Sequence, residues 1–184
     1  MHILVGGGTG FIGKYLCSYL RQRGHIVTAI SRYEGKDRIT WQQLRWDEAP
    51  ADVDAVVNLA GNRFMDYRYF TSTNFGSSSA QEQFQTSRWT TAKVCQMYCQ
   101  ERAEEGRPLK VYVQGSSYLY YHINEETEDN IWTEEDKGGW SDPINKWVRT
   151  WEEHALFDKP IDTRQVIVRT GNVLHTEDGL LRSI

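Results

Sequence analysis

At 184 residues the chain has room for one well-packed domain and little room for a second. A formal net charge of -4 and a sequence pI of about 5.7 exclude the basic surface that nucleic acid or an anionic membrane selects. No apolar run is long enough to span a bilayer.

Residues 1–5 read as a short apolar strand, and Val5-Gly6-Gly7-Gly8-Thr9-Gly10-Phe11-Ile12-Gly13 follows without a break. Phe11-Ile12, Tyr15-Leu16 and Tyr19-Leu20 then recur at helical spacing, so the glycines stand at a strand-to-helix turn. Gly7, Gly10 and Gly13, spaced three apart, suit a tight turn, close approach of backbone to a phosphate, and close packing of helix on strand. The helix start offers its free N–H groups and positive dipole end to an anion. So early a strand leaves no room for a signal or transit peptide, which points to a cytoplasmic location. A mitochondrial one would need a targeting signal not visible in the chain.

Gly24 closes the first helix, and residues 26–30 form a second buried strand that ends at Ser31-Arg32. An acid at that point would bind the adenosine ribose, whereas an arginine accommodates a 2′-phosphate. Arg32 therefore favours NADP(H), with the Ser31 hydroxyl available to the same phosphate. The alternative is a solvated surface arginine. Residues 38–41 form a third strand and residues 42–50 a polar connection that need not be regular. The fourth strand, residues 54–61, ends in Asn58, Leu59 and Ala60, and its small residues suit a ligand lying over the strand ends of a parallel sheet.

Residues 62–80 show no period and read as an irregular loop or lid. A helix over residues 81–102 follows, with Phe84, Arg88, Thr91 and Cys95 along one stripe and Val94, Met97 and Tyr98 beside it. Arg88, facing inward, requires an anionic partner: a cofactor pyrophosphate or a neighbouring carboxylate. Cys17, Cys95 and Cys99 lack the spacing and histidine partners of a zinc site; they read as small buried hydrophobes, and no metal is expected. Residues 110–117 form the fifth strand, and residues 125–136 an acidic solvated loop. A helix over residues 144–156 carries Trp147 and Trp151, and residues 164–174 form the sixth strand. Six strands alternating with helices imply a Rossmann-like doubly wound parallel sheet in an α/β fold, one nucleotide-binding domain over residues 1–184.

Residues 1–13, Ser31-Arg32, Arg38-Ile39-Thr40-Trp41, Asn58-Leu59-Ala60-Gly61, Ser87-Arg88-Trp89 and Arg169-Thr170-Gly171-Asn172-Val173-Leu174 together resemble the epimerase-like atypical branch of the short-chain dehydrogenase/reductase superfamily. The resemblance covers nearly the whole chain and is poorest over residues 62–79. It implies NADP(H) held by the loop residues Gly7, Thr9, Gly10, Phe11, Ile12 and Gly13, by Ser31, Arg32, Asn58, Leu59, Arg88 and Val173, with Gln83 nearby. The Tyr-x-x-x-Lys pair of many relatives is absent, its positions being Ile144 and Val148, and Lys146 is out of register. Ser116 and Tyr120 are the candidate substitutes, Ser116 to polarise a carbonyl and Tyr120 to donate a proton; the alternative is that both only line the pocket. His122 is a further acid/base candidate. Relatives in this branch continue into a smaller substrate-covering portion, of which residues 175–184 are the start and the chain lacks the rest. Trp147 and Trp151, with Trp132 and Trp140, then either form an exposed face for a protein partner or pack in the core. Two functions follow: an NADP(H)-dependent oxidoreductase or epimerase of unknown substrate, or a non-catalytic nucleotide-binding subunit of a larger assembly.

Overall fold

The computed structural model describes residues 1–46, 48–62, 78–121, 131–139 and 143–176, with the backbone alone for residues 78–81. Six strands form one sheet: β1 (His2–Gly6), β2 (Ile26–Ser31), β3 (Arg38–Thr40), β4 (Val53–Asn58), β5 (Val111–Ser117) and β6 (Arg164–Thr170). Their order is β3-β2-β1-β4-β5-β6, and every pairing is parallel. The order reverses between β1 and β4, and that is where an open α/β sheet binds ligands.

Helices α1 (Phe11–Gln22), α2 (Trp41–Arg45), α3 (Ser78–Glu104) and α4 (Pro143–Ala155) cover the sheet unequally. The reversal is the reason. Right-handed crossovers running outward from β1 to β2 lie on one face, and those running back to β4, β5 and β6 lie on the other. On the first face α1 buries Cys17 against Ile3, Val5, Val27 and Ala55. On the second, Leu4, Ile30, Val56 and Tyr112 of the sheet pack with Leu44 of α2, Cys95 and Cys99 of α3, and Trp147, Val148 and Trp151 of α4. All three cysteines are buried free thiols. Among the described residues, no helix is long and apolar enough to cross a membrane.

Several expected boundaries move, each for a local reason. The third strand ends at Thr40 rather than Trp41, because the Thr40 side chain accepts from the Gln43 N–H and the Gln43 side chain from the Thr40 N–H. That capping box starts α2 inside the stretch read as a polar connection. The fourth strand stops at Asn58, whose side-chain oxygen takes the Ala60 N–H and turns the chain. The long helix begins at Ser78, so the expected lid over residues 62–80 is helical at its end, and residues 63–77 lie outside the described residues. The sixth strand ends at Thr170.

Trp147 and Trp151 are core residues, 7% and 8% exposed, stacked on each other with centroids 6.0 Å apart. The exposed Trp147/Trp151 face is therefore corrected to core packing: α4 turns both rings inward onto α3. Trp132 is partly exposed, and Trp140 lies outside the described residues.

The glycine loop sets the approach of α1 to the sheet. A Cβ on Gly13 would stand 2.1 Å from the Gly7 carbonyl oxygen and 2.8 Å from the Gly8 Cα, both backbone atoms with nowhere to go. Gly24, by contrast, has φ of +81° and nothing within 4 Å of an added Cβ. Gly13→Ala is therefore expected to lower the unfolding free energy by about 3 kcal/mol through overpacking. Gly24→Ala should cost about 1 kcal/mol, from the left-handed backbone alone. Urea denaturation measures both, and equal costs would contradict the packing argument.

Candidate functional site

The site is built where the strand ends meet α1. Gly7 has φ of +73°, and its N–H donates to the Ile30 carbonyl at 3.2 Å, so the loop folds back over β2. The Gly10 N–H donates to the Gly7 carbonyl at 2.8 Å and completes the turn. Gly10 is the N-cap of α1; no side chain caps the helix, and no acid lies in its first turn. Its first N–H groups are left for an anion. Thr9 and Gly10 are exposed at the mouth, as is Ile12.

Across the loop runs a short strap, Leu59-Ala60. A Cβ on Gly7 would stand 2.9 Å from the Leu59 carbonyl oxygen and 3.0 Å from the Ala60 Cα, so glycine is required for the approach. The Leu59 N–H donates to the Gly6 carbonyl at 2.9 Å. Asn58 is fully buried beneath the strap. Its side chain is spent inside the protein, accepting from the Ala60 N–H at 3.1 Å and donating to Gln114 Oε1 at 2.9 Å.

At the end of β2 the Ser31 hydroxyl donates to the Tyr33 carbonyl and accepts from the Tyr33 N–H at 3.2 Å. It shapes the turn that presents Arg32. Arg32 is exposed, has its guanidinium 6.0 Å from the Tyr33 ring centroid, and forms no ion pair among the described residues.

Arg88 is the second cation of the site. Its guanidinium lies against Gly61, directly after the strap, where an added Cβ would come within 2.7 Å of Cζ. It donates to the carbonyls of Asn62 at 2.9 Å and Phe84 at 3.4 Å, and stands 4.0 Å from the Phe84 ring centroid. Trp147 and Trp151 lie behind it, at 5.6 and 5.4 Å. Among the described residues no carboxylate pairs with it. Of the two partners expected for Arg88, the neighbouring carboxylate is thus not what the structure holds. Burial pulls its pKa down to about 10, because desolvation disfavours the charged form. Gln83 is exposed on α3, five residues before it.

Val173 joins the same end of the molecule. With Leu174 and His175 it faces Phe11, Ile12 and Tyr15 of α1 across a groove of about 370 Å³. His175 Nε2 lies 3.2 Å from the Tyr15 hydroxyl.

Ser116 and Tyr120 are brought together, but through a network that the sequence did not announce. The buried Ser116 hydroxyl donates to Glu152 Oε1 at 2.5 Å. Glu152, also buried, accepts from Arg169 Nε and Nη2 at 2.9 Å each. Arg169 Nη1 donates to the Tyr121 hydroxyl at 2.7 Å, and the Tyr120 ring lies 3.4 Å from the Arg169 guanidinium carbon. Burial alone would depress the Arg169 pKa; the hydrogen bonds it donates to Glu152 and Tyr121 outweigh it, so the guanidinium holds its proton more tightly than usual. Val148 is fully buried and Ile144 packs on the core, so neither expected Tyr-x-x-x-Lys position carries a polar group. His122 lies outside the described residues. Among those residues no cluster of three or more histidine, cysteine or acidic side chains forms a metal site.

Gln114, Glu152 and Arg169 were missed. Gln114 had a visible signal, a lone amide directly after Val111-Tyr112-Val113; the Glu152–Arg169 pair had none, because helix and strand meet only in the folded state.

Residues 3–135 match the model of the NAD dependent epimerase/dehydratase family. The chain is 37% identical over 182 residues to the bovine epimerase family protein SDR39U1, covering 98% of this chain and 57% of that protein. It is 29% identical over 187 residues to the Mycobacterium leprae epimerase family protein ML0860, covering 97% of this chain and 55% of that protein. A crystal structure of human epimerase family protein SDR39U1 (isoform 2) with NADPH superposes with a TM-score of 0.85 at 34% identity, covering all of this chain and 58% of that one. The chain thus spans a little over half the length of the curated relatives it matches. By sequence and by fold it belongs to the NAD dependent epimerase/dehydratase family, among the epimerase-like short-chain dehydrogenase/reductases.

Proposed function

We propose that the chain binds NADP(H) across the strand ends between β1 and β4. The observation that carries this reading is the uncapped start of α1 set between two cations, Arg32 and Arg88, that have no carboxylate partner among the described residues. The residues fit the group: Gly7 and Gly13 let the loop, the strap and the start of α1 meet backbone to backbone, and no side chain caps the first-turn N–H groups of α1. The NADPH bound to the human relative supports the phosphate assignment to Arg32.

Under this reading Gly7, Thr9, Gly10, Phe11, Ile12 and Gly13 hold the pyrophosphate with Arg88, and Arg32 takes the 2′-phosphate. Leu59, Ala60 and Val173 line the opposite wall, Asn58 supports the strap from beneath, and Gln83 flanks Arg88. A bound nicotinamide supplies hydride transfer, the chemistry of an oxidoreductase or epimerase. Tyr120 and Ser116 are the hydroxyls offered for proton transfer. A second reading, nucleotide binding without turnover, is favoured by one observation: the Ser116 proton is committed to Glu152, while Ile144 and Val148 are apolar.

Titration with NADPH and NADH, followed by nicotinamide fluorescence, tests the cofactor. Arg32→Ala should cost about 1.5–3 kcal/mol toward NADPH, roughly ten- to a hundredfold, and little toward NADH. Equal loss for both would sink the 2′-phosphate assignment. Arg88→Met should weaken NADPH binding about tenfold or more without lowering the thermal midpoint of the nucleotide-free chain, since it removes an unpaired desolvated charge. A clear fall in that midpoint would show that Arg88 is kept for packing. Turnover is tested by NADPH oxidation against aldehydes, ketones and sugar nucleotides: activity abolished by Tyr120→Phe supports the enzyme, and none with any of them supports the binding subunit.

A further inference from the structure

A single row of residues crosses the sheet just below the strand ends: Ile39, Ile30, Gly6, Asn58, Gln114 and Ile167, each in register with the next. In-register neighbours of a parallel sheet face the same side. Two adjacent members are amides, and both are 0% exposed. Burying amides is costly unless each polar group finds a partner. Here the partners are one another. Asn58 Nδ2 donates to Gln114 Oε1 at 2.9 Å, the Tyr112 hydroxyl donates to the same oxygen at 2.7 Å, and Gln114 Nε2 donates to the Gly115 carbonyl at 2.7 Å.

What this chain of bonds holds is the strap. With its amide oriented by Gln114, Asn58 presents Oδ1 to the Ala60 N–H, and Leu59-Ala60 is pressed against Gly7. Leu59 also packs on Gly115, where an added Cβ would come within 3.0 Å of its Cδ2. Gln114 thus governs the one backbone segment that faces the glycine loop from β4. Since the crevice lies between β1 and β4, and Arg32 stands on the β2 side, the β4 side faces the other half of a dinucleotide.

We propose that Gln114 is a positioning residue for the nicotinamide half of the cofactor, acting through Asn58 and the Leu59-Ala60 strap. This rests on the NADP(H) reading above. The two halves separate experimentally, because 2′,5′-ADP carries the adenosine and its 2′-phosphate without the nicotinamide. Gln114→Leu keeps the size of the side chain and leaves Asn58 and Tyr112 without their acceptor. It is expected to weaken NADPH binding about tenfold while 2′,5′-ADP binds within twofold of the unmodified chain. Arg32→Ala should weaken both. Gln114→Glu, whose carboxylic acid reproduces the acceptor and the donor, should restore NADPH affinity as pH falls toward 6. If Gln114→Leu does not fold, Tyr112→Phe, which removes one of the two donors, should give a smaller loss confined to NADPH. Unchanged NADPH binding, or equal losses for NADPH and 2′,5′-ADP, would overturn the positioning role and leave nucleotide binding intact. If the unmodified chain bound neither, the nucleotide reading would fail, and this one with it.

Discussion

The rest of the structure depends on the approach of α1 to the strand ends. Gly13 lies against the Gly7 carbonyl, and Gly7 against the Leu59-Ala60 strap, so three backbone segments meet with no side chain between them. Hydrogen bonds alone would not hold such an arrangement, because any Cβ at either glycine collides with backbone rather than with a rotatable side chain. The absence of those atoms turns the start of α1 toward the crevice and leaves its first N–H groups uncapped.

That geometry forces costs on the surrounding sheet. The strap needs a donor-acceptor partner beneath it, so Asn58 and then Gln114 enter a row otherwise built of isoleucine and Gly6. Beside it, Arg88 is desolvated against Phe84, Trp147 and Trp151 with only carbonyl acceptors. By contrast Arg169 is neutralised by both oxygens of Glu152. The difference divides the site. The paired guanidinium of Arg169 fastens β6 to α4, whereas Arg88 has no carboxylate partner among the described residues.

The two sheet faces are finished to different degrees. The face bearing α2, α3 and α4 holds the larger core, while α1 packs on residues of β1, β2 and β4 on the other. On the α1 face Val113 and Val166 are half-buried and Val168, on the edge strand β6, is 42% exposed. The chain spans 57% and 55% of two relatives that it matches.

The sequence by itself determined the elements whose cause is local. Continuous apolar runs marked the strands because parallel strands are buried on both faces, and the glycine spacing marked the turn because only glycine permits it. The position of Arg32 was legible too, since it directly follows the apolar run that forms β2. The capping box of Thr40 and Gln43 is equally local, but residues 42–50 read as a polar connection and α2 emerged only in the structure. Tertiary structure alone decided the inward turn of Trp147 and Trp151, because a tryptophan on an amphipathic helix looks the same whether the helix packs on its own core or on another protein. It also decided the partners of Ser116 and Asn58. Glu152 and Gln114 lie 36 and 56 residues away from them, and only the order of strands and the packing of α4 bring such groups to hydrogen-bonding distance.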